Sequence, residues 1–153
     1  SRRQRQMCIR DSIFSMVDGE LFNYGKTNIS FSPSFVGSNA IIYQPSEKIS
    51  LSLLSKYVGK QYMGNTDQPN SILESYFVND INITYSVKPE KIFQSISINF
   101  LINNILNKEY ISNGYYYTYD DTWSVPGQIK TLDGAGYYPQ ATRNFLAGLV
   151  FEF

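Results

Sequence analysis

Four long stretches of the chain alternate apolar and polar residues with a period of two. This spacing places successive side chains on opposite faces of a β-strand. The stretches cover residues 49–60, 77–85, 95–103 and 144–153, and a weaker one covers 34–43. β-Branched and aromatic residues dominate, and no capping box opens an apolar stripe of helical period. The sequence therefore predicts an all-β fold with about five antiparallel strands.

Composition excludes several classes of chemistry. The 153 residues contain no His and a single Cys, Cys8. A zinc cluster, a disulfide, a Ser-His-Asp triad and a Cys-His pair are therefore excluded, and we expect neither an enzyme nor a cofactor. The longest apolar runs, such as 146–151, are far shorter than the ~20 residues of a membrane helix.

Charge is distributed unevenly along the chain. Four of the five arginines lie within residues 1–11, whereas the rest of the chain holds eight lysines and one arginine against twelve acidic residues. An acidic body does not favour a nucleic-acid partner. The head, residues 1–11, resembles the translation of sequencing-adapter DNA, so we expect it to be non-native and assign no function to it or to Cys8.

The connections between the predicted strands alternate between short and long. Residues 44–48 and 88–91 are tight turns marked by Pro, whereas 64–71 and 107–143 are long. Transmembrane barrels combine such connections with strands of ~9–11 residues that are apolar on the lipid side. Such barrels also carry aromatic girdles at the membrane interfaces. The candidate girdle residues of this chain lie near the strand ends: Tyr43, Tyr57, Tyr62, Tyr76 and Tyr85.

A soluble β-sandwich alternates in the same way, so periodicity alone leaves both architectures open. The barrel interpretation places the apolar residues of several strands on one outward face. That set comprises Leu51, Leu53, Ile81, Ile83, Ile96, Ile98 and Leu149.

Several motifs carry a family resemblance, in order and at consistent spacing. They are FSPSFVGSNAIIY at 31–43, LSKYVGKQY at 54–62, SYFVNDINITY at 75–85 and NILNKEY at 104–110, followed by a closing Phe153. Together they resemble the last strands of TonB-dependent outer-membrane receptors, and the approach to the last strand, 138–145, resembles the Bacteroidetes type. The family usually has Asn-Leu-Phe where this chain has Asn104-Ile105-Leu106, a conservative departure.

This resemblance implies a 22-stranded barrel closed by an N-terminal plug in the outer membrane of a Gram-negative bacterium. Such receptors take up scarce nutrients, including iron-siderophores, cobalamin and oligosaccharides. Residues 12–153 would supply the C-terminal strands alone, a fragment that transports nothing by itself. The implied partners are outer-membrane lipid, the TonB complex through the missing N-terminal part, the assembly machinery and the nutrient, with no nucleic acid.

The resemblance also implies a role for the last strand. Its alternating residues Phe145, Leu149, Phe151 and Phe153 match the C-terminal signal that the outer-membrane assembly machinery recognises. Asp80, alone in an otherwise uncharged strand, is expected to face the polar interior and to have a structural hydrogen-bonding role.

The segment 107–143 is the candidate ligand site, because it carries seven of the thirteen tyrosines. Aromatic rings and carboxylates suit a sugar or a ring-containing ligand, and long loops are where barrels meet ligands. The candidate residues are Tyr115, Tyr117, Tyr119, Asp120, Asp121 and Trp123.

Three other interpretations are open, of which the first concerns this segment and the other two concern the whole chain. The tyrosines could simply extend a strand, with Asp120 and Asp121 as its turn. A soluble carbohydrate-binding β-sandwich would also explain the aromatic residues. A glycosidase would need two carboxylates at a fixed separation, and Glu74, Asp80, Asp120 and Asp121 lack supporting spacing. Adjacent carboxylates on a strand point to opposite faces, so no metal site is expected.

Overall fold

The computed structural model describes residues 13–89 and 94–153, and this part of the chain is all-β. The expectation that residues 1–11 are a non-native head concerns residues outside the described part. The strands are β1 (Ile13–Val17), β2 (Glu20–Gly25), β3 (Val36–Ser46), β4 (Ile49–Val58), β5 (Gln61–Tyr62), β6 (Ile72–Leu73), β7 (Tyr76–Val87), β8 (Ser95–Asn103), β9 (Ile111–Asp121), β10 (Lys130–Pro139) and β11 (Asn144–Glu152).

The chain divides into two compact units. The first contains the described residues up to Ser34 together with Lys60–Glu74 and Ile111–Pro139. The second contains Phe35–Gly59, Ser75–Tyr110 and Gln140–Phe153, apart from the undescribed residues 90–93.

The second unit holds an antiparallel five-stranded sheet of order β11-β8-β7-β4-β3. Its neighbours in space follow one another along the chain within this unit, as in an up-and-down sheet. These strands are the five segments that alternation predicts, so the predicted all-β class and antiparallel strands are confirmed.

The pairing register separates two chemically different faces of this sheet. Leu51 lies opposite Ile83, and Ile83 lies opposite Phe100. Paired residues share a face, so one apolar face extends across all five strands. It carries Ile41, Tyr43, Leu51, Leu53, Ile81, Ile83, Tyr85, Ile96, Ile98, Phe100, Ile102, Phe145, Leu149 and Phe151.

The opposite face is largely polar and hydrogen-bonded between strands. Thr84 donates its hydroxyl to Oδ1 of Asn99 at 2.8 Å. Nδ2 of Asn103 donates to Oδ1 of Asn144 at the same distance. Leu54, Leu101, Leu146 and Val150 add apolar side chains to this face. The side-chain bonds link β7 to β8 and β8 to β11. On the apolar face, polar side chains occur at Asn39, Ser55 and Asn79, which pair with one another across three strands.

The buried core of this unit is small and lies at one end of the sheet. Val58, Tyr76 and Val78 are buried together, and Tyr110 packs against them with its ring centroid 4.4 Å from that of Tyr76. Large apolar side chains elsewhere stay open, since Ile41 exposes 60% and Leu149 exposes 61% of its surface. Most apolar area of this sheet is therefore on its face and not in a core.

Asn104 organises the chain where it leaves β8. It has a left-handed backbone, with φ of 50°, and is buried. Its Oδ1 accepts the Lys108 amide at 2.9 Å, and its Nδ2 donates to the Lys108 carbonyl at 2.8 Å. Its own amide donates to Oδ1 of Asp80 at 2.7 Å. Asp80 thus has the structural hydrogen-bonding role expected from the sequence.

A backbone hydrogen bond closes the base of the insertion between β8 and β11. The amide of Gln140 donates to the carbonyl of Tyr110 at 3.0 Å. The two ends of the β9–β10 segment are therefore held side by side in the second unit.

The first unit contains two hairpins and the short β5–β6 pair. β9 and β10 pair from Lys130 opposite Asp121 to Pro139 opposite Ile111. The expectation of one long loop over 107–143 is therefore wrong, because most of the segment is hairpin. The β1–β2 hairpin was not predicted, although Asp18-Gly19, both with positive φ, is a strong hairpin-turn signal.

Replacing Asn104 by Ala should lower the free energy of unfolding by about 3 kcal/mol. The change removes hydrogen bonds that contribute about 1 kcal/mol each and leaves Ala in a left-handed conformation that costs a further ~1 kcal/mol. Urea unfolding followed by circular dichroism measures the loss.

The neighbouring Asn103→Ala variant is the matched control. It removes one side-chain bond, to Asn144, from a residue in ordinary strand conformation, so its cost should be about 1 kcal/mol. Equal costs for the two variants would contradict the special role of Asn104.

Candidate functional site

One face of the β9–β10 hairpin carries a row of aromatic rings. Tyr115, Tyr117 and Tyr119 alternate along β9 and share this face. Neighbouring centroids in β9 are 6.2 and 6.3 Å apart, and the ring planes differ by 21° and 22°. Trp123 continues the row beyond Tyr119 at 6.2 Å with nearly parallel planes, and Tyr138 lies 6.1 Å from Tyr115 at the other end. We call these five residues the aromatic row.

Two glycines of β10 provide the surface on which the row lies. Gly136 is opposite Tyr115, and Gly134 is opposite Tyr117. A Cβ atom at Gly134 would lie 2.6 Å from Cζ of Tyr117, and one at Gly136 would overlap the ring of Tyr115 in the same way. The tyrosines therefore lie across the neighbouring strand, in space that only glycine leaves free.

The outer side of the row is open. Tyr115 and Tyr117 expose about half of their surface, and Trp123 exposes 70%. Tyr115 and Tyr117 lie over glycine and are half-exposed, while the ring plane of Tyr138 is tilted by 49° against that of Tyr115, so the row is an exposed surface rather than a core.

Asp121 fixes the position of Trp123. It ends β9 and is buried, and its Oδ1 accepts the amides of Trp123 at 3.1 Å and Ser124 at 3.0 Å. A hydrogen bond from the Ser124 side chain, followed by the one from the Ser124 amide, lowers the pKa of Asp121. Asp121 therefore positions the last ring of the row by forming an Asx-type turn.

Asp120 has a different role on the opposite face. Its Oδ1 accepts the Thr131 hydroxyl at 2.6 Å. Thr131 in turn accepts the Asp18 amide at 2.8 Å and donates its own amide to Oδ1 of Asp18 at 2.7 Å. Asp120 thus links the two hairpins and is not part of the row. β9 contains the tyrosines and ends at Asp121, so the alternative that the tyrosines extend a strand agrees with the structure, whereas the turn follows Asp121 instead of being formed by both carboxylates.

A cavity of about 360 Å³ lies in the same unit, lined mainly by the opposite face of the hairpin, the 64–68 loop and β1. Its volume is within the range of small-molecule sites. Tyr116 lines it beside Asp133 and Tyr24, and burial, followed by the charge of Asp133, raises the pKa of the Tyr116 hydroxyl.

The predicted assembly-signal residues lie on β11, which forms one edge of the five-stranded sheet. Phe145, Leu149 and Phe151 pair with Ile102, Ile98 and Ile96 of β8 and share the apolar face. Phe153 follows the end of the strand. Their recognition by assembly machinery stays a prediction.

Sequence reasoning missed three members of the site: Gly134, Gly136 and Tyr138. A signal for them exists, because Gly134-Ala135-Gly136 alternates small residues at the same period as Tyr115, Tyr117 and Tyr119. Pairing the two patterns requires the hairpin register, which an assumed loop does not provide.

The described residues contain no group of three or more Asp, Glu, Cys or His side chains placed to hold a metal ion. Among them there is also no helix with the length and apolarity needed to cross a membrane.

Acid should release Trp123 from the row. Because the pKa of Asp121 is lowered in the folded state, its carboxylate stabilises the turn at neutral pH. This contribution is lost as the pH falls through the folded-state pKa. Trp123 is the only tryptophan, so the anisotropy of its fluorescence should fall in a step at acidic pH.

The Asp121→Asn variant keeps an acceptor oxygen but cannot titrate, so its anisotropy should show no such step. An equal step in the variant would assign the transition to another group.

Comparison with known proteins provides no family assignment for this chain. No family model, no curated protein and no solved structure matches the chain.

Proposed function

We propose that the chain is the C-terminal part of the barrel of a TonB-dependent outer-membrane receptor. The observation that carries this proposal is the five-stranded sheet with one continuous apolar face and one largely polar, hydrogen-bonded face. The motif resemblance at 31–43, 54–62, 75–85 and 104–110 supports the same assignment.

The apolar face suits hydrocarbon. It spans five strands of nine to twelve residues, the length that a tilted strand needs to cross a bilayer. Exposing Ile41, Ile98 and Leu149 to water would cost about 25 cal/mol per Å² of apolar surface, and lipid removes this cost.

The polar face suits a barrel interior. Side-chain hydrogen bonds join Thr84 to Asn99 and Ser86 to Ser97 across strands. Water in the barrel interior hydrates the remaining polar atoms. The edge strands β3 and β11 require partners in lipid, because each unpaired N–H or C=O costs several kcal/mol there. In the proposal, the other strands of the receptor pair with both edges and close the barrel.

In this arrangement the short β3–β4 and β7–β8 connections face the periplasm. The receptor binds a scarce nutrient, such as an iron-siderophore, cobalamin or an oligosaccharide, and TonB supplies energy through the N-terminal part. The assembly machinery recognises the strand that ends near Phe153. We assign no catalytic role to any residue.

The aromatic row favours a second candidate function, a soluble carbohydrate-binding β-sandwich. That architecture covers the apolar face of one sheet with a second sheet. In the described part of the second unit, the five-stranded sheet is the only sheet. The environment of its apolar face therefore distinguishes the two candidates.

Adjacent residues on opposite faces provide the test. Spin labels at Ile98→Cys and Asn99→Cys, in the complete receptor polypeptide, are compared in lipid vesicles. We expect the label at 98 to collide with oxygen dissolved in the bilayer and the label at 99 to collide with a water-soluble nickel complex. Electron paramagnetic resonance saturation measures both accessibilities.

The opposite result, with position 98 shielded from oxygen by protein contacts in a water-soluble product, would favour the sandwich. The unbroken genomic reading frame upstream of residue 12 gives an independent check. A signal peptide, a plug and further alternating strands are expected there, and a start codon near Ser12 would contradict the receptor.

A further inference from the structure

We propose that the aromatic row on the β9–β10 hairpin binds a neutral, linear oligosaccharide by stacking its sugar rings on the exposed tyrosine and tryptophan faces. The inference rests on the hairpin alone and does not require the receptor assignment. It names a ligand class and a binding surface, neither of which depends on transport.

The first argument is the shape of the surface. Gly134 and Gly136 hold the rings of Tyr117 and Tyr115 down against the sheet, so one side of each ring is covered and the other is open. A sugar ring presents a flat patch of C–H bonds above and below its hydroxyl groups. Such a patch complements the electron-rich face of an aromatic ring, whereas a hydrocarbon chain needs no planar partner.

The second argument is repetition. Neighbouring centroids are 6.1 to 6.3 Å apart along the whole row, from Tyr138 through Tyr115, Tyr117 and Tyr119 to Trp123. A regular row without an enclosing wall fits a ligand made of repeating rings, with successive units lying over successive side chains. A compact ligand would instead favour a concave site.

The third argument is charge. Nucleic acid also stacks on aromatic rows, but it requires a basic groove for its phosphates. On this face the register places Asp121 opposite Lys130, so charge is balanced. Asp120 and Asp133 on the other face add negative charge. A neutral chain of hydroxyl groups suits this electrostatic setting, and tyrosine hydroxyls can bond to it.

The direction of the row separates it from an interfacial girdle. A girdle places aromatic residues of many strands at one height in the membrane. Here three of the five rings follow one another along β9, and the row extends from one end of the hairpin to the other.

Binding can be measured with the only tryptophan as a probe. The 153-residue chain is kept in lauryldimethylamine oxide, a detergent without a sugar headgroup, and its strand content is checked by circular dichroism. It is titrated with neutral hexasaccharides of glucose, xylose and mannose. We expect at least one to change the emission of Trp123 saturably, and isothermal calorimetry gives the affinity.

The variants test stacking directly. Tyr117→Phe keeps the ring and loses only the hydroxyl, so its affinity should fall less than that of a variant that loses the ring. Tyr117→Leu keeps an apolar side chain over Gly134 but removes the flat face, so its affinity should fall by about tenfold. Tyr43→Leu changes an exposed strand tyrosine in the other unit; it is the control and should leave binding unchanged.

A second variant tests ligand binding at a position where a substitution should leave the hairpin folded. Trp123 lies in the turn after β9 and is largely exposed, so Trp123→Leu should fold normally and weaken binding measured by calorimetry. The proposal is overturned if no hexasaccharide binds at millimolar concentration, if Tyr117→Leu and Trp123→Leu bind as well as the parent, or if oligothymidylate binds in their place. None of these outcomes bears on the lipid accessibility of Ile98, so failure here and failure of the receptor proposal are distinguishable.

Discussion

Alternation of side chains across a hydrogen-bonded sheet is the constraint on which this structure depends. Once the register sets Leu51 opposite Ile83 and Ile83 opposite Phe100, every second residue of each strand must lie in the same environment. The two faces cannot exchange roles without shifting a whole strand by one residue. The polar cross-strand bonds, the small end core and the open apolar surface all follow from this separation.

Each of the two units is stabilised internally by different physical interactions. The sheet unit depends mainly on backbone pairing and has few buried apolar side chains, grouped around Val58, Tyr76 and Val78. The hairpin unit contains polar links between distant segments of the chain, such as Asp18 with Thr131 and Asp133 with Asn70. In its aromatic row, Tyr115 and Tyr117 lie over glycines of the neighbouring strand instead of in a core. The candidate site therefore uses side chains that the fold does not need for burial.

The sequence predicts the sheet well and the hairpin unit poorly, for identifiable reasons. Strands such as β7 and β8 have clean alternation because their two faces differ in polarity, and this pattern is local. β9 has tyrosines on both faces, at Tyr116 as well as at Tyr115 and Tyr117, so its period is hidden. Asp121 shows its role only through the turn geometry, and Gly134 and Gly136 show theirs only through cross-strand register. Asp80 was correctly expected to have a structural role, although its partner, the Asn104 amide, lies in a connection.

The hydrogen bond between Gln140 and Tyr110 joins the two ends of the segment that contains the hairpin. A segment whose two ends are already joined at its base can change in length and sequence without altering the register of β8 and β11. The surface that meets a ligand can thus diversify at a different rate from the sheet that carries it. Homologous chains should then differ most in the segment between Tyr110 and Gln140. Exchanging this segment between homologues should transfer ligand specificity while the supporting strands stay the same.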